Sequence, residues 1–308
     1  MVKISDITTE EKLSYYERLI MPYHEKGIQR FFIDQYLIGN GKELKSKFWS
    51  KNSSSRLAFD LYSWIAKEPI ITSFQFEKKL PGVICSKKGT AGVPNMDVYF
   101  ETKSDIVFIE SKYLEKTSWK YKNGDLSKAY WDNNKYGELD FGERFYGKTN
   151  IAKAFSNFCN NIQNSIDHFD NYAKEKWNWF DAKQETCHLF GIIFYLLNAR
   201  KENQSYLCDD KFKQSKKIHL YNIIWELESD DFEQNTDSFP VFFEKQAVKL
   251  VKTCLGDSVQ FDFIITTIQE LLKETHFHGL DFTKAIAFGT KTPLDTQMKQ
   301  YIKINKKR

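Results

Sequence analysis

The sequence has few cysteines, and their positions form no recognisable framework. Five cysteines, at positions 85, 159, 187, 208 and 254, are scattered and odd in number, and no two of them form a CxxC pair. Neither a disulfide framework nor a cysteine zinc site is indicated. Cys187-His188 and His276-Phe277-His278 come nearest to metal clusters. Because partner ligands at zinc spacing are missing, we expect these residues to be structural or solvent-facing.

Long apolar runs and nucleotide-binding loops are also missing from the sequence. The longest apolar run is too short to span a bilayer, and the first residues do not form a signal-peptide segment. We therefore expect a cytoplasmic protein with no membrane partner. Walker and dinucleotide-binding glycine patterns are absent, which argues against coupled ATP hydrolysis by this chain.

The composition supplies enough apolar material for a substantial core. The 308 residues are 41% hydrophobic and 16% aromatic, which permits one large domain or two small ones. The net charge of +4 is mild. Contact with nucleic acid would therefore depend on local basic patches rather than on the overall charge.

Two carboxylates and a lysine lie close together on a predicted β-hairpin. Strand-forming residues at 98–100 and 106–109 flank turn residues at 102–105, and twelve residues separate Asp97 from Glu110. Because side chains alternate along a strand, Glu110 and Lys112 share a face and Ser111 points away. The spacing predicts that Asp97, Glu110 and Lys112 lie within reach of one divalent cation. The alternative is a simple ion pair or solvated residues at a strand end.

The D-(x12)-E-x-K pattern resembles the catalytic core of the PD-(D/E)XK nucleases, the restriction-endonuclease-like superfamily. Asn95-Met96-Asp97 replaces the literal Pro-Asp of that motif. A serine-capped helix at 52–62, an alternating strand at 74–77 and the extension Lys112-Tyr113-Leu114-Glu115 are similar to one bacterial, restriction-type branch. The resemblance covers roughly residues 50 to 200.

This resemblance implies an α/β fold with a mixed central sheet, built as an αβββαβ core with helices on both faces and extra N- and C-terminal helical elements. It also implies that Asp97, Glu110 and the backbone carbonyl of Ser111 hold Mg²⁺, with Mn²⁺ as a substitute. Lys112 would orient the attacking water. Carboxylate and carbonyl oxygens are the ligands that magnesium prefers, so the chemistry of these residues agrees with those roles.

Three further residues are weaker candidates for this site. Glu77 is a candidate catalytic carboxylate, although an exposed charge cluster with the two following lysines would explain it equally well. Asp60 stands four residues after Arg56, so a helical surface pair is the simpler explanation. Gln163, late on a predicted helix, is a candidate supporting residue, although a solvated helical glutamine is the simpler explanation.

The implied activity is Mg²⁺-dependent hydrolysis of DNA by a restriction-type endonuclease, in which a metal-activated water attacks phosphorus in line. Double-stranded DNA is the expected partner. Double-strand cleavage would favour a homodimer, and a restriction role would bring a cognate methyltransferase. One alternative is a repair, recombination or mobile-element nuclease of the same fold. Another is a non-catalytic nucleic-acid-binding module.

The remaining segments complete a domain prediction. Residues 1–50 read as an N-terminal helical extension, 51–200 as the nuclease core, and 201–308 as a C-terminal extension of the core or a small recognition subdomain. Within the core, an aromatic and basic stretch at 116–149 reads either as a nucleic-acid contact or as a surface loop. A helix at 150–175 is followed by a predicted strand at 188–197. Beyond it we expect strands at 218–227 and 284–288 and helices at 241–255 and 261–273.

Overall fold

The protein is an α/β structure built around a five-stranded mixed sheet. The coordinates come from a computed structural model, and the structure describes residues 32, 35, 36, 54–80, 94–112, 126, 151–176, 180–202, 216–224, 238–274 and 276–281. Within these residues, no helix has both the length and the apolar character needed to cross a membrane.

Five helices and seven strands carry the labels used below. The helices are α1 (Ser54–Tyr62), α2 (Ile151–Lys176), α3 (Ala182–Glu202), α4 (Phe239–Leu255) and α5 (Ile268–Lys273), and a short 3₁₀ helix, Ser63–Lys67, follows α1. The sheet contains β1 (Ser73–Lys79), β2 (Asn95–Glu101), β3 (Asp105–Lys112), β4 (Lys217–Ile224) and β5 (Phe261–Thr267). A separate small hairpin consists of β6 (His276–Phe277) and β7 (Leu280–Asp281).

The order of the strands in the sheet follows the order in the chain. β1 pairs with β2 and β2 with β3 in antiparallel fashion, whereas β3 pairs with β4 and β4 with β5 in parallel. The parallel connection from β3 to β4 passes through α2 and α3. The carboxyl ends of β3, β4 and β5 therefore meet at one edge of the sheet.

Each face of the sheet is covered by helices, because the side chains of the inner strands are apolar on both faces. One core contains Phe108, Leu220 and Phe263 together with apolar residues of α2, α3 and α4. The other contains Val107 and Ile223 together with residues of α1, the 3₁₀ helix and α5. Successive residues of β3 and β4 alternate between these two cores, as the period of a strand requires.

The predicted strand at 188–197 is wrong, because these residues lie in the helix α3. The apolar run is buried in the core that it shares with α2 and α4. A helix surrounded by protein is apolar on most sides, as a central strand is, so the run alone does not distinguish the two. Gly191 permits close packing there. A Cβ at this position would lie 2.5 Å from Cγ of Pro94 and 2.9 Å from Cβ of Leu80. The parallel partner of β3 is instead β4.

Most of the other predicted elements are present. The strands at 74–77, 98–100 and 106–109 and the helices at 150–175 and 241–255 are confirmed by β1, β2, β3, α2 and α4, and 218–227 overlaps β4. The helix predicted at 261–273 is wrong in its first half, where β5 precedes α5. The β-branched residues at 264–267 favour a strand there. The segments 116–149, apart from Leu126, and 284–288 lie outside the described residues.

Residues near the N-terminus contribute to the edge of the sheet. The side-chain amide of Gln35 donates to the carbonyl of Phe74 at 3.3 Å and accepts from the backbone N–H of Phe76 at 2.8 Å. Phe32 and Tyr36 are buried against the same strand. These contacts satisfy backbone groups that an edge strand would otherwise expose.

Candidate active site at the carboxyl end of β3

Four polar residues lie side by side across the sheet at one level. The register of the flanking pairs aligns Glu77 of β1 with Asp97 of β2, and Asp97 in turn with Glu110 of β3. Glu110 pairs with Asn222 of β4. The strand order thus brings together side chains that are separated by up to 145 residues in sequence. An acidic row forms where β3 approaches its carboxyl end.

Glu110 and Lys112 form a buried ion pair within this row. Nζ of Lys112 lies 2.7 Å from Oε1 of Glu110, and the two residues are only 4% and 5% exposed. Gln184 of α3 joins both side chains. Its amide nitrogen donates to Oε1 of Glu110 at 2.7 Å, and its amide oxygen accepts a short hydrogen bond from Lys112. One carboxamide therefore fixes the relative position of a carboxylate and an ammonium group.

Asp97 is held against the backbone of the neighbouring strand. Its Oδ2 accepts a hydrogen bond of 2.7 Å from the N–H of Ser111. Burial raises the pKa of Asp97 well above its usual range, and the negative charges of Glu110 and Glu77 raise it further. The Ser111 hydrogen bond and the Lys112 ammonium oppose this increase. The carboxylates of the row therefore repel one another when all are ionised.

Glu77 is buried and has an unusual backbone. Its φ is 49°, in the left-handed region that residues other than glycine seldom adopt. The hydroxyl of Ser55 on α1 donates to its Oε1 at 3.4 Å. Strain of this kind is found most often at functional sites, where the surrounding structure imposes it. Glu77 is therefore buried rather than part of an exposed charge cluster, and its negative charge acts on Asp97.

Two more ionisable residues of α3 face the row. Glu185 is fully buried, and its Oε1 accepts a hydrogen bond of 2.9 Å from the amide of Asn222. Burial raises its pKa well above the usual range. Nε2 of His188 lies 3.7 Å from Oε2 of Glu110, and burial lowers the pKa of this imidazole. Burial therefore favours the neutral form of both side chains.

The structure brings together the four side chains that the sequence singled out for catalysis: Glu77, Asp97, Glu110 and Lys112. Ser111, predicted as a carbonyl ligand, contributes its N–H to Asp97, and its hydroxyl is buried. Asp60 lies on α1, and its side chain is outside the described part of the structure.

The structure places a different glutamine at the site from the one the sequence suggested. Oε1 of Gln163 accepts from the backbone N–H of Leu126 at 2.9 Å. Gln184 and Glu185 were missed because they lie just before the run at 188–197 that was interpreted as a strand, and His188 was placed at the start of that strand. A local signal existed, since Asp181 accepts from the N–H of Gln184 as a helix N-cap, and an aspartate followed three residues later by glutamine is typical of a helix start.

Comparisons with known proteins give no assignment. No protein-family model matches the chain, and no significant match is found among the curated proteins or the solved structures. A functional interpretation therefore depends on the residues of the site.

The donor set of this row fits a hard divalent cation such as Mg²⁺. Glu110 and Glu77 lie on the strands that flank Asp97, and burial together with their negative charges raises the pKa of Asp97. A cation coordinated by Asp97 and Glu110 would offset that repulsion, and carboxylate oxygens are the ligands that Mg²⁺ prefers.

Proposed function

We propose that this protein is a Mg²⁺-dependent nuclease that hydrolyses phosphodiester bonds of double-stranded DNA. The observation that carries the proposal is the alignment of Glu77, Asp97 and Glu110 on three neighbouring strands, with the ammonium group of Lys112 paired to Glu110 near the end of β3. Carboxylates next to a lysine are the groups needed to hold a cation and to stabilise charge that develops on a phosphate.

Asp97 and Glu110 are the residues that would hold Mg²⁺. Glu77 is near enough for its negative charge to act on Asp97, and it would support the two ligands. When bound, the ion would polarise the phosphate and stabilise charge on the attacking and leaving oxygens. The hydrogen bond from Ser111 fixes one oxygen of Asp97. Because a carboxylate is planar, this contact also limits the directions in which the other oxygen of Asp97 can point.

Lys112 would supply the positive charge that the developing phosphorane needs. Its Nζ is held between Glu110 and Gln184, so the ammonium group is positioned before substrate binds. A preorganised charge in a buried site stabilises a transition state without reorganisation at the moment of reaction. His188 and Glu185 of α3 are buried beside this pair, and His188 lies 3.7 Å from Glu110.

The topology supports a restriction-endonuclease-like core as the fold of this nuclease. A helix, three antiparallel strands, a helical crossover and a parallel strand follow one another as α1, β1–β3, α2–α3 and β4. The crossover contains one more helix than the expected αβββαβ order. Action in bacterial genome defence, a homodimer and a partner methyltransferase belong to this proposal as predictions.

The test is cleavage of supercoiled plasmid and bacteriophage DNA, with Mg²⁺, Mn²⁺ or EDTA. Wild type is compared with Asp97→Asn, Glu110→Gln and Lys112→Met. Lys216→Met is a matched control, because Lys216 also forms a largely buried ion pair, with Glu101 at 2.8 Å, but at the opposite end of the sheet.

We expect metal-dependent products from wild type and from Lys216→Met, and a loss of at least about 100-fold in each of the three site variants. Binding of DNA without cleavage by any of the proteins would refute catalysis and favour the non-catalytic module. Cleavage that survives in all three site variants would show that the acidic row is not the active site.

A further inference from the structure

A second group of polar side chains lies at the opposite end of the sheet from the candidate active site. Asp105 begins β3, His219 lies on β4, and His278 lies in the turn between β6 and β7. One ligand atom from each residue lies within 4.8 Å of the other two. We propose that Asp105, His219 and His278 bind a divalent transition-metal ion, and that Zn²⁺ is the ion they take.

The spacing of the three ligand atoms suits one metal ion. Oδ1 of Asp105 lies 2.9 Å from Nε2 of His219 and 3.4 Å from Nδ1 of His278. In a tetrahedral site with metal–ligand distances of about 2.0–2.1 Å, two ligand atoms are about 3.3 Å apart. The other oxygen of Asp105 accepts hydrogen bonds from the hydroxyls of Thr102 and Ser104. Oδ1 is therefore the oxygen presented to both imidazoles.

Each imidazole has a polar neighbour on its far side. Nε2 of His278 lies 2.9 Å from the hydroxyl of Tyr221. Nδ1 of His219 lies 3.2 Å from Oδ2 of Asp262, although the geometry is not that of a hydrogen bond. Histidines that bind metals nearly always donate their second N–H to a carboxylate, carbonyl or similar acceptor, which fixes the tautomer. Tyr221 can serve as that acceptor for His278, whose Nδ1 faces Asp105.

The turn that carries His278 has left-handed backbone at both of its central residues. His278 and Gly279 have φ values of 51° and 77°, as the two central residues of a type I′ turn require. Asparagine is the common residue at the first of these positions, and histidine is also enriched among the non-glycine residues that adopt this conformation. The turn brings the imidazole of His278 to Asp105.

The imidazole of His278 is in the protonation state that metals bind. Burial, and secondarily the neighbouring His219, lower its pKa to about 4. The ring is therefore neutral near pH 7. His276, the other histidine of the hairpin, is exposed and has no place in this group. The sequence predicts that both histidines are structural or solvent-facing, and His276 is indeed exposed. The sequence could not show that Asp105 and His219 lie beside His278, because tertiary structure alone brings these three residues together.

The proposed site is independent of the acidic row. Asp105 and His219 lie on the same face of β3 and β4 as Val107 and Tyr221, which belong to the core on the α1 side, whereas Glu110 contacts α3 on the other face. A bound ion would connect the small hairpin to two central strands. Its expected consequence is resistance of this end of the molecule to unfolding.

The test is metal binding by full-length protein that has been treated with chelator and returned to a buffer that contains Mg²⁺ but no transition metal, so that magnesium sites are already occupied. Zn²⁺ is titrated calorimetrically, and its ligands are identified by X-ray absorption. The variant is His278→Asn, because asparagine fits the turn and lacks the imidazole. His276→Asn is the matched control on the same hairpin. Asp97→Asn separates this site from the proposed nuclease centre.

We expect one equivalent of Zn²⁺ to bind wild type, His276→Asn and Asp97→Asn with nitrogen and oxygen ligands, and to raise the melting temperature. His278→Asn should bind at least about 100-fold more weakly while keeping its far-ultraviolet circular dichroism, and Tyr221→Phe should bind about 10-fold more weakly. Absence of binding to folded wild type, sulfur in the coordination shell, or wild-type affinity in His278→Asn would overturn the proposal. If His278→Asn unfolds, the wild-type stoichiometry and ligand spectrum still decide it.

Discussion

Replacement of Gln184 by alanine isolates the contribution of one carboxamide to the proposed catalytic pair. The change removes a hydrogen bond of 2.7 Å to Glu110 and a short hydrogen bond from Lys112, but it leaves the 2.7 Å ion pair between those residues in place. A hydrogen bond to a charged group contributes about 1.5–3 kcal/mol. If the bond to Lys112 is the one that positions the ammonium group in the transition state, its loss lowers kcat by about 10- to 100-fold.

Gln163 provides the matched control for this experiment. It is also a partly buried helical glutamine, and its side chain accepts one backbone hydrogen bond of 2.9 Å from Leu126, away from the acidic row. Gln163→Ala should cost about 1 kcal/mol of stability and leave kcat unchanged at temperatures where the protein is folded. Steady-state plasmid nicking with both variants, at saturating Mg²⁺, measures the difference. Equal losses in the two variants, or full activity in Gln184→Ala, would refute the positioning role of Gln184.

The other predictions concern the stability and packing of the same region. Burial and like charges raise the pKa of Asp97, so the folded protein holds the proton of this carboxyl more tightly than the unfolded chain does. The free energy of unfolding of metal-free wild type therefore falls as the pH rises from the ordinary aspartate pKa near 3.8 through the raised pKa of the folded state. Asp97→Asn should therefore be more stable than wild type at pH 7 by about 0.5–2 kcal/mol in urea denaturation without metal, and lower stability would contradict the reasoning. Mg²⁺ should raise the melting temperature of wild type but not that of Asp97→Asn, as thermal denaturation with and without the ion would show. Glu185→Gln should change stability at pH 7 by less than about 1 kcal/mol, because burial favours the neutral carboxyl, and a large loss would mean that the ionised form is needed. Gly191→Ala should destabilise by about 1–3 kcal/mol and lower cleavage, because the new methyl group would lie 2.5 Å from Pro94 and displace α3, and wild-type stability and cleavage together would refute this.

The hairpin of the site was predictable because its signals are local. Strand-forming residues of period two, a polar turn and a fixed spacing are enough to place Asp97 next to Glu110, and β2 and β3 have that pairing. The αL conformation of Glu77 was not predictable in the same way, because it depends on the fit of β1 against β2 and α1 rather than on neighbouring residues. Burial of Glu77 follows from the same packing.

The helix α3 could not be distinguished from a strand by its apolar run alone. Residues 188–197 are apolar on most sides because the helix is enclosed by the sheet, α2 and α4. Only the polar residues before the run, Asp181 and Gln184, indicate a helix start. Because the helix was not recognised, Gln184 and His188 were not predicted to lie beside Glu110, which both of them contact.

The arrangement around Glu110 is difficult to explain as a device for stability. Buried ion pairs such as Glu110–Lys112 seldom stabilise a protein more than apolar residues of the same volume would. Here the pair is accompanied by an aspartate whose neighbours disfavour its charge and by a glutamate with left-handed backbone. Each of these features opposes folding, and the contacts from Ser111, Ser55 and Gln184 hold them in position nonetheless. A cation shared by Asp97 and Glu110 would offset that repulsion, which supports the metal binding proposed for this row.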